Sequence, residues 1–322
     1  MKKILNILSF FIVVAIIFSA CKEDPPYVNF NKPRSTFDTT YIGAVPTPQP
    51  KEVLIEDGSG TLCLNCPTAA VIGNGIVASN PGRVNIYTNY PNIPFGGLTK
   101  PVNEPTVKSK YDMRSDIGKD IMNFLGVPSA ASLPTGYINR KKFTGNSEWA
   151  VNKDTWVGYV NGELALTTPV NIDISNTYDA STKKLSVDVT VTYSQVVTGD
   201  NYLHLMILQD SIIDAQESRD ANNSLFFDSA YVHRHVLMDM LTAHNGDLLN
   251  TTADMTLVPG RVFKKRYEMI LGTRTNNLTN PDPNPPRLPF CQWDLKHLLV
   301  LGLVTESSTT KYVLQSKEKE VQ

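Results

Sequence analysis

The spacing of apolar residues changes along the chain, and each change predicts a different element. Ile4 through Ala20 is an apolar run broken only by Asn6, Ser9 and Ser19. Pro25 to Pro50 is rich in Pro, Thr and Asn with little periodicity, which suits a tether. Val53-Leu54-Ile55 opens a β-branched strand ending in Glu56-Asp57, and Gly58-Ser59-Gly60 predicts a turn. The small residues from Thr68 to Ser79 predict a helix that packing must hold, because Gly73 and Gly75 sit inside it. Arg83 to Tyr87, with Val84 and Ile86 apolar, reads as the next strand. Asp112 to Leu125 sets Ile117, Ile121, Met122, Phe124 and Leu125 at helical spacing and stops at Gly126. Pro134 precedes a short strand through Ile138, and Trp149 to Leu164 reads as helix.

From Thr167 the period becomes two. Val170, Ile172 and Ile174 alternate with polar residues, as do Leu185, Val187, Val189 and Val191, and Tyr178-Asp179-Ala180-Ser181 between them predicts a hairpin connection. Tyr202 to Leu208 and Val262 to Leu271 add strands, and Leu298 to Val304 is apolar enough for a buried one. The pattern predicts an α/β region over 51–166 and an antiparallel, immunoglobulin-like β-sandwich over 167–322, with a boundary near Leu166.

A chain of 322 residues, about twice a typical domain, has room for two cores. Thirty basic and thirty-one acidic residues leave a net charge of −1, so no basic excess exists to neutralise a phosphate backbone, and nucleic acid is excluded as a partner. Four cysteines are too few for a disulfide-dense scaffold. Their positions say more than their number.

Met1-Lys2-Lys3 followed by the apolar run is the pattern of an export signal over residues 1–20. The run is short for a spanning helix, which needs roughly 20 residues, and no basic stop-transfer cluster follows it. Phe18-Ser19-Ala20-Cys21 resembles the bacterial lipobox, which implies cleavage before Cys21 and a lipid on its sulfur. Phe18 stands where leucine is usual. Lys22-Glu23-Asp24 is similar to the surface-export signal of Bacteroidetes lipoproteins; a plain solvated tether is the alternative. Residues 21–50 are then a lipidated tether that holds the body off the membrane.

Cys63-Leu64-Asn65-Cys66-Pro67 follows the first strand and its turn and opens the small-residue helix. Strand, turn, C-x-x-C and helix is the order in which thioredoxin-like folds place a redox pair. Unpaired N–H groups and the positive end of the helix dipole stabilise a thiolate at such a position. Pro134, just ahead of a strand, matches the cis proline that lies against the pair in such folds, and Asp57, six residues before Cys63, has the spacing of their buried proton-shuttling acid. A turn acid is the other reading of Asp57. A zinc site lacks a second cysteine pair, so no metal and no cofactor is expected. A structural disulfide between Cys63 and Cys66 remains an alternative, since Leu62 stands where thioredoxins carry Trp and Leu64-Asn65 replaces Gly-Pro.

These segments, with Leu133-Pro134-Thr135-Gly136-Tyr137-Ile138-Asn139-Arg140, Tyr231-Val232-His233-Arg234-His235-Val236-Leu237 and Tyr312-Val313-Leu314-Gln315, resemble the Omp-twenty-eight-related outer-membrane proteins of Bacteroidetes. The resemblance implies a lipoprotein signal, a thioredoxin-like domain and a β-rich C-terminal domain, at the outer membrane.

Other features are less specific. His233 and His235, two apart in an expected strand, share a face, but no acid or histidine completes a metal site by spacing. Arg274 to Pro289 is too proline-rich for a central strand and reads as a long exposed loop. Asp210-Ser211-Ile212 and Asp228-Ser229-Ala230 resemble a short O-glycosylation motif that also arises by chance. Cys291 is expected as a buried thiol. No phosphate-binding glycine loop, H-E-x-x-H or G-x-S-x-G motif occurs.

Two functions of different class follow. One is a surface-exposed, lipid-anchored binding or accessory subunit or adhesin, with an outer-membrane nutrient transporter or other surface lipoproteins as partners. The other is an extracytoplasmic thiol–disulfide oxidoreductase with Cys63 as attacking thiolate, Cys66 as resolving thiol, Pro134 as substrate-side wall and Asp57 as proton acceptor.

Overall fold

The computed structural model describes residues 35–93, 97–126, 133–251, 256–273, 278 and 288–322. The expected leader, Cys21, Lys22, Glu23, Asp24 and most of the proline-rich stretch 274–289 lie outside those residues. Strands β1 (Ser35–Ile42), β2 (Val53–Gly58), β3 (Val84–Asn89) and β4 (Thr135–Ile138) come first, with helices α1 (Cys66–Ser79), α2 (Asp116–Leu125) and α3 (Trp156–Leu164). Then follow β5 (Val170–Asp179), β6 (Lys184–Tyr193), β7 (Asn201–Gln209), β8 (Ile212–Arg219) and β9 (Leu225–His233). The last are β10 (Val236–Met240), β11 (Asp247–Leu248), β12 (Arg261–Ile270), β13 (Leu298–Glu306) and β14 (Val313–Glu320). The protein is β-rich, with few helices and several sheets.

The alternation of β5 and β6 builds a four-stranded sheet in the order β1-β12-β6-β5. Its inner face, with Ile172, Leu185, Val187, Val189, Val191, Phe263 and Tyr267, packs on Leu203, Leu205 and Ile207 of β7 and Leu298, Val300 and Val304 of β13. The opposite faces of those two strands carry Met206, Leu208, Leu299, Leu301 and Leu303 into a second core with Leu54, Tyr87, Ile121, Met122 and both C-x-x-C cysteines. Strands buried on both sides can be apolar at every position, which explains the unbroken run from Leu298 to Leu301.

β7 and β13 belong to an eight-stranded sheet, β14-β13-β7-β10-β3-β2-β4, with β11 paired to β7. It takes strands from both sides of Leu166, so the two expected regions share one sheet, and Pro33–Gln322 forms one compact unit. The join is a parallel pairing of β10 with β3 at Val236 and Thr88, whose N–H donates to the His235 carbonyl at 2.8 Å. At the far side Val313 N–H donates to the Asn139 carbonyl at 2.9 Å. The buried Lys51 ammonium donates to the carbonyls of Val313 and Leu314 at 2.9 and 3.0 Å. α1 and α3 cover the other face of β2, β3 and β4, where Val53, Ile55, Ile86, Ile138, Ala69 and Trp156 form a third core. A side chain at Gly73 would meet Ile86 at 2.5 Å, so that glycine lets α1 approach β3.

Several expectations shift. Ser35–Ile42, inside the expected tether, is an edge strand antiparallel to β12. α2 begins at Asp116, not Asp112, because the Ser115 hydroxyl accepts the Gly118 N–H at 2.8 Å and caps it there. Asp112 is held outside the helix by Arg114, with 2.7 Å between Nη2 and Oδ2. α3 starts at Trp156 after a short 3-10 turn, Lys153–Thr155.

Candidate functional site

Cys63 and Cys66 form a disulfide, and Cys66 is the first residue of α1. The pair is nearly sealed, with each cysteine 2 % exposed. Leu98 and Lys100 flank the loop on one side: Leu62 N–H donates to the Leu98 carbonyl at 2.9 Å, and the Thr61 hydroxyl donates to the Lys100 carbonyl. The β8–β9 hairpin holds it on another. Glu217 N–H donates to the Thr61 carbonyl at 2.8 Å, and the buried Gln216 amide reaches the Gly60 carbonyl at 3.1 Å and the Cys63 carbonyl at 3.4 Å. The Leu133–Pro134 bond is cis, and Leu133 packs in the same core as both cysteines.

β2, which leads into the loop, carries one member of a buried charged group. Glu56 accepts two hydrogen bonds from Arg140, each at 2.9 Å, and one from the Tyr87 hydroxyl. All three side chains are buried. The Tyr87 hydroxyl is pushed well up by burial first and then by the Glu56 charge.

Asp57, next along β2, points to a different place. It is 1 % exposed, its Oδ1 has no hydrogen-bond partner, and burial pushes its carboxyl well above the usual range. It lines a cleft with Ser59, Asn74, Tyr90, Tyr231, His233 and His235. The Tyr90 hydroxyl and His233 Nδ1 are 2.7 Å apart. The Tyr231 ring meets the His233 ring edge-on, with centroids 4.8 Å apart. Burial holds His233 down to about 4, and its Nε2 has no partner.

The structure therefore packs Cys63, Cys66 and Leu133 in one core and sets Asp57 in a separate cleft with Tyr90, Tyr231 and His233. His233 and His235 do not share a strand: β9 ends at His233, and His235 turns the chain with a φ of 49° before β10. Both nonetheless line the cleft. No group of three metal-ligating side chains occurs among the described residues. Cys291 is buried, and its sulfur accepts from Gln209 Nε2 at 3.4 Å. Sequence reasoning missed Gln216, Tyr90 and Tyr231, which come from segments far apart in the chain and carry no motif.

A family model described as outer membrane protein Omp28 matches residues 123–281, just under half of the chain and on both sides of Leu166. The resemblance expected from the sequence is thus shown, and the class it defines is that of an outer membrane protein. Among solved structures the chain is similar to HBP35 of Porphyromonas gingivalis, with a TM-score of 0.57 and 15% identity over 87% of this chain and 77% of that one. At that identity the likeness is one of fold. A protein of Agrobacterium tumefaciens is more distant, with a TM-score of 0.42 and 11% identity over 86% of this chain and 98% of that one. No curated protein matches the chain.

Proposed function

We propose that the protein is a lipid-anchored outer-membrane protein facing the cell exterior, where it serves as a binding or accessory subunit. Its partners are an outer-membrane nutrient transporter or other surface lipoproteins. In this reading Cys21 carries the anchor, Lys22, Glu23 and Asp24 direct export, residues 51–166 are thioredoxin-like, and 167–322 are immunoglobulin-like. The Omp28 match supports the membrane. The observation that carries the non-catalytic role is the burial of the disulfide: thiol–disulfide exchange needs a reachable sulfur, and Cys63 and Cys66 are each 2 % exposed beneath β8. The test is purification from detergent-solubilised outer membrane, with protease shaving of intact cells alongside. Retention with a membrane partner and loss of the protein on shaving are expected. Recovery only as an unpartnered soluble protein overturns the proposal.

A second reading, a thiol–disulfide oxidoreductase, is favoured by the conjunction of a C-x-x-C disulfide at a helix start, the cis Leu133–Pro134 bond and the buried Asp57. It requires β8 to leave the loop during turnover. Catalytic reduction of a disulfide substrate, lost in Cys63→Ser, would establish it.

A further inference from the structure

The face formed by the end of α2, the loop after β4 and the β13–β14 turn is used by neither reading. It gathers aromatic rings and cations from both sides of Leu166. The Lys311 ammonium lies 4.6 Å from the centre of the Trp149 ring and 4.8 Å from that of Phe124. Lys142 Nζ stands 5.8 Å from the same Trp149 ring, and the Arg140 guanidinium carbon 6.0 Å from the same Phe124 ring.

We propose that this face is a binding site for the carboxylate of a small organic acid whose flat, apolar body lies against Trp149 and Phe124. Three observations carry it. First, the cations exceed their partners. Arg140 is paired with Glu56 at 2.9 Å and Lys141 with Glu163 at 2.7 Å, whereas Lys142 and Lys311 make no ion pair among the described residues. Glu148, beside Trp149 in sequence, acts on Tyr137. The Lys311 ammonium is held down by burial first and then by the charge of Arg140, a repulsion that a bound anion relieves. Second, Arg140 is fully buried, and its Nη1 has no hydrogen-bond partner. The Nε and Nη2 edge of the fork is used on Glu56. The Tyr87 hydroxyl lies against the guanidinium and gives its proton to Glu56, so Nη1 is left as a donor on the far edge. A buried donor without an acceptor is costly, and a charged one most of all. Third, the face is open: Lys142 is exposed, and Phe124, Trp149 and Lys311 are half-buried.

The ligand class follows from the two kinds of contact. Lys311 holds a carboxylate oxygen by a charge-assisted hydrogen bond, Arg140 Nη1 is the donor on the inner side, and Lys142 adds charge at the rim. The rings give the apolar contact that fixes an organic body. Inorganic phosphate fits less well, because it has no body for the rings and its second charge meets that of Glu56.

The experiment titrates the full chain, disulfide intact, with benzoate by calorimetry, with acetate and inorganic phosphate as comparisons. Crystals soaked in para-bromobenzoate locate the site by its bromine. Benzoate is expected to saturate one site, with its carboxylate on Lys311 and its ring against Trp149 or Phe124. Acetate should bind about tenfold more weakly for want of the ring. Lys311→Met should weaken benzoate about tenfold by removing the charged donor. Lys264→Met, which removes a lysine 5.7 Å from the Tyr41 ring in the four-stranded sheet, should change nothing. Arg140 is left in place, because its loss would strand the buried Glu56 charge. The absence of saturable benzoate binding overturns the proposal, as does phosphate binding as tightly as benzoate. So does an equal loss in Lys264→Met, or a bromobenzoate carboxylate bound away from Lys311. If Lys311→Met does not fold, Lys142→Met decides. None of these variants touches the disulfide, so the outcome is independent of whether it turns over.

Discussion

Gln216 Nε2 lies 3.4 Å from the Cys63 carbonyl oxygen, so a strand well over a hundred residues further along the chain fastens the loop that carries the disulfide. The same amide also holds Gly60 at 3.1 Å. Each such bond contributes about 1 kcal/mol net. Gln216→Ala should therefore open the loop more often and speed reduction of the disulfide by a dithiol on the order of tenfold, read by trapping with an alkylating reagent. Equal rates in the two proteins would show that β8 does not limit access.

The Glu56–Arg140 pair is buried, with the Arg140 and Glu56 side chains 0 and 3 % exposed. Removing one member of a buried pair costs about 3–5 kcal/mol, because the other charge stays buried. Glu56→Gln should lower stability by that order in urea denaturation, whereas Tyr87→Phe, which removes one neutral donor, should cost about 1 kcal/mol. A similar cost for both would mean that Arg140 finds another counter-ion.

Acid should weaken the fold through His233. In the unfolded chain the imidazole titrates near its ordinary value of 6.5, whereas burial in the folded chain holds it down to about 4. As pH falls below the first value the unfolded state takes up a proton that the folded state refuses, so stability drops until the second value is passed. The loss is on the order of 3 kcal/mol. His233→Asn should flatten that part of the stability–pH curve. Asp57 has the opposite sign: its raised carboxyl makes stability fall as pH rises from the ordinary carboxylate range toward the raised value, and Asp57→Asn should remove that slope.

Gly136 lies under the Trp156 ring, and a Cβ there would meet the ring at 2.3 Å. Trp156 is fully buried and anchors α3 on β4. Gly136→Ala should cost about 1–3 kcal/mol by overpacking and broaden the Trp156 fluorescence environment, checked by thermal unfolding followed through tryptophan emission. An unchanged midpoint would mean that α3 moves aside without loss.

The sequence is legible where one face of an element decides its pattern. β5 and β6 alternate because one side meets the core, and their ends and turn fall where alternation stops. The C-x-x-C, Asp57 and Pro134 were readable because local order alone places them. β8 and β9 were not: they form a two-stranded ribbon whose residues are buried or exposed according to what lies above the disulfide loop, so no period survives. β10 was hidden because its first residue follows a left-handed turn at His235, and the expected single strand is two. The cleft could not be read at all. Tyr90 and His233 become neighbours only through the pairing of β10 with β3.

That pairing also has a consequence in time. β3 ends at Asn89, and the strand that covers its open edge starts at Val236. Until that later segment exists, the edge of β3 offers unpaired N–H and C=O groups to any other extended chain. A contact of this sequence separation forms slowly, because a long loop must close before it is rewarded. The growing chain thus carries a sticky, half-built sheet for nearly half of its synthesis, and the last third of the sequence holds the latch that ends that exposure.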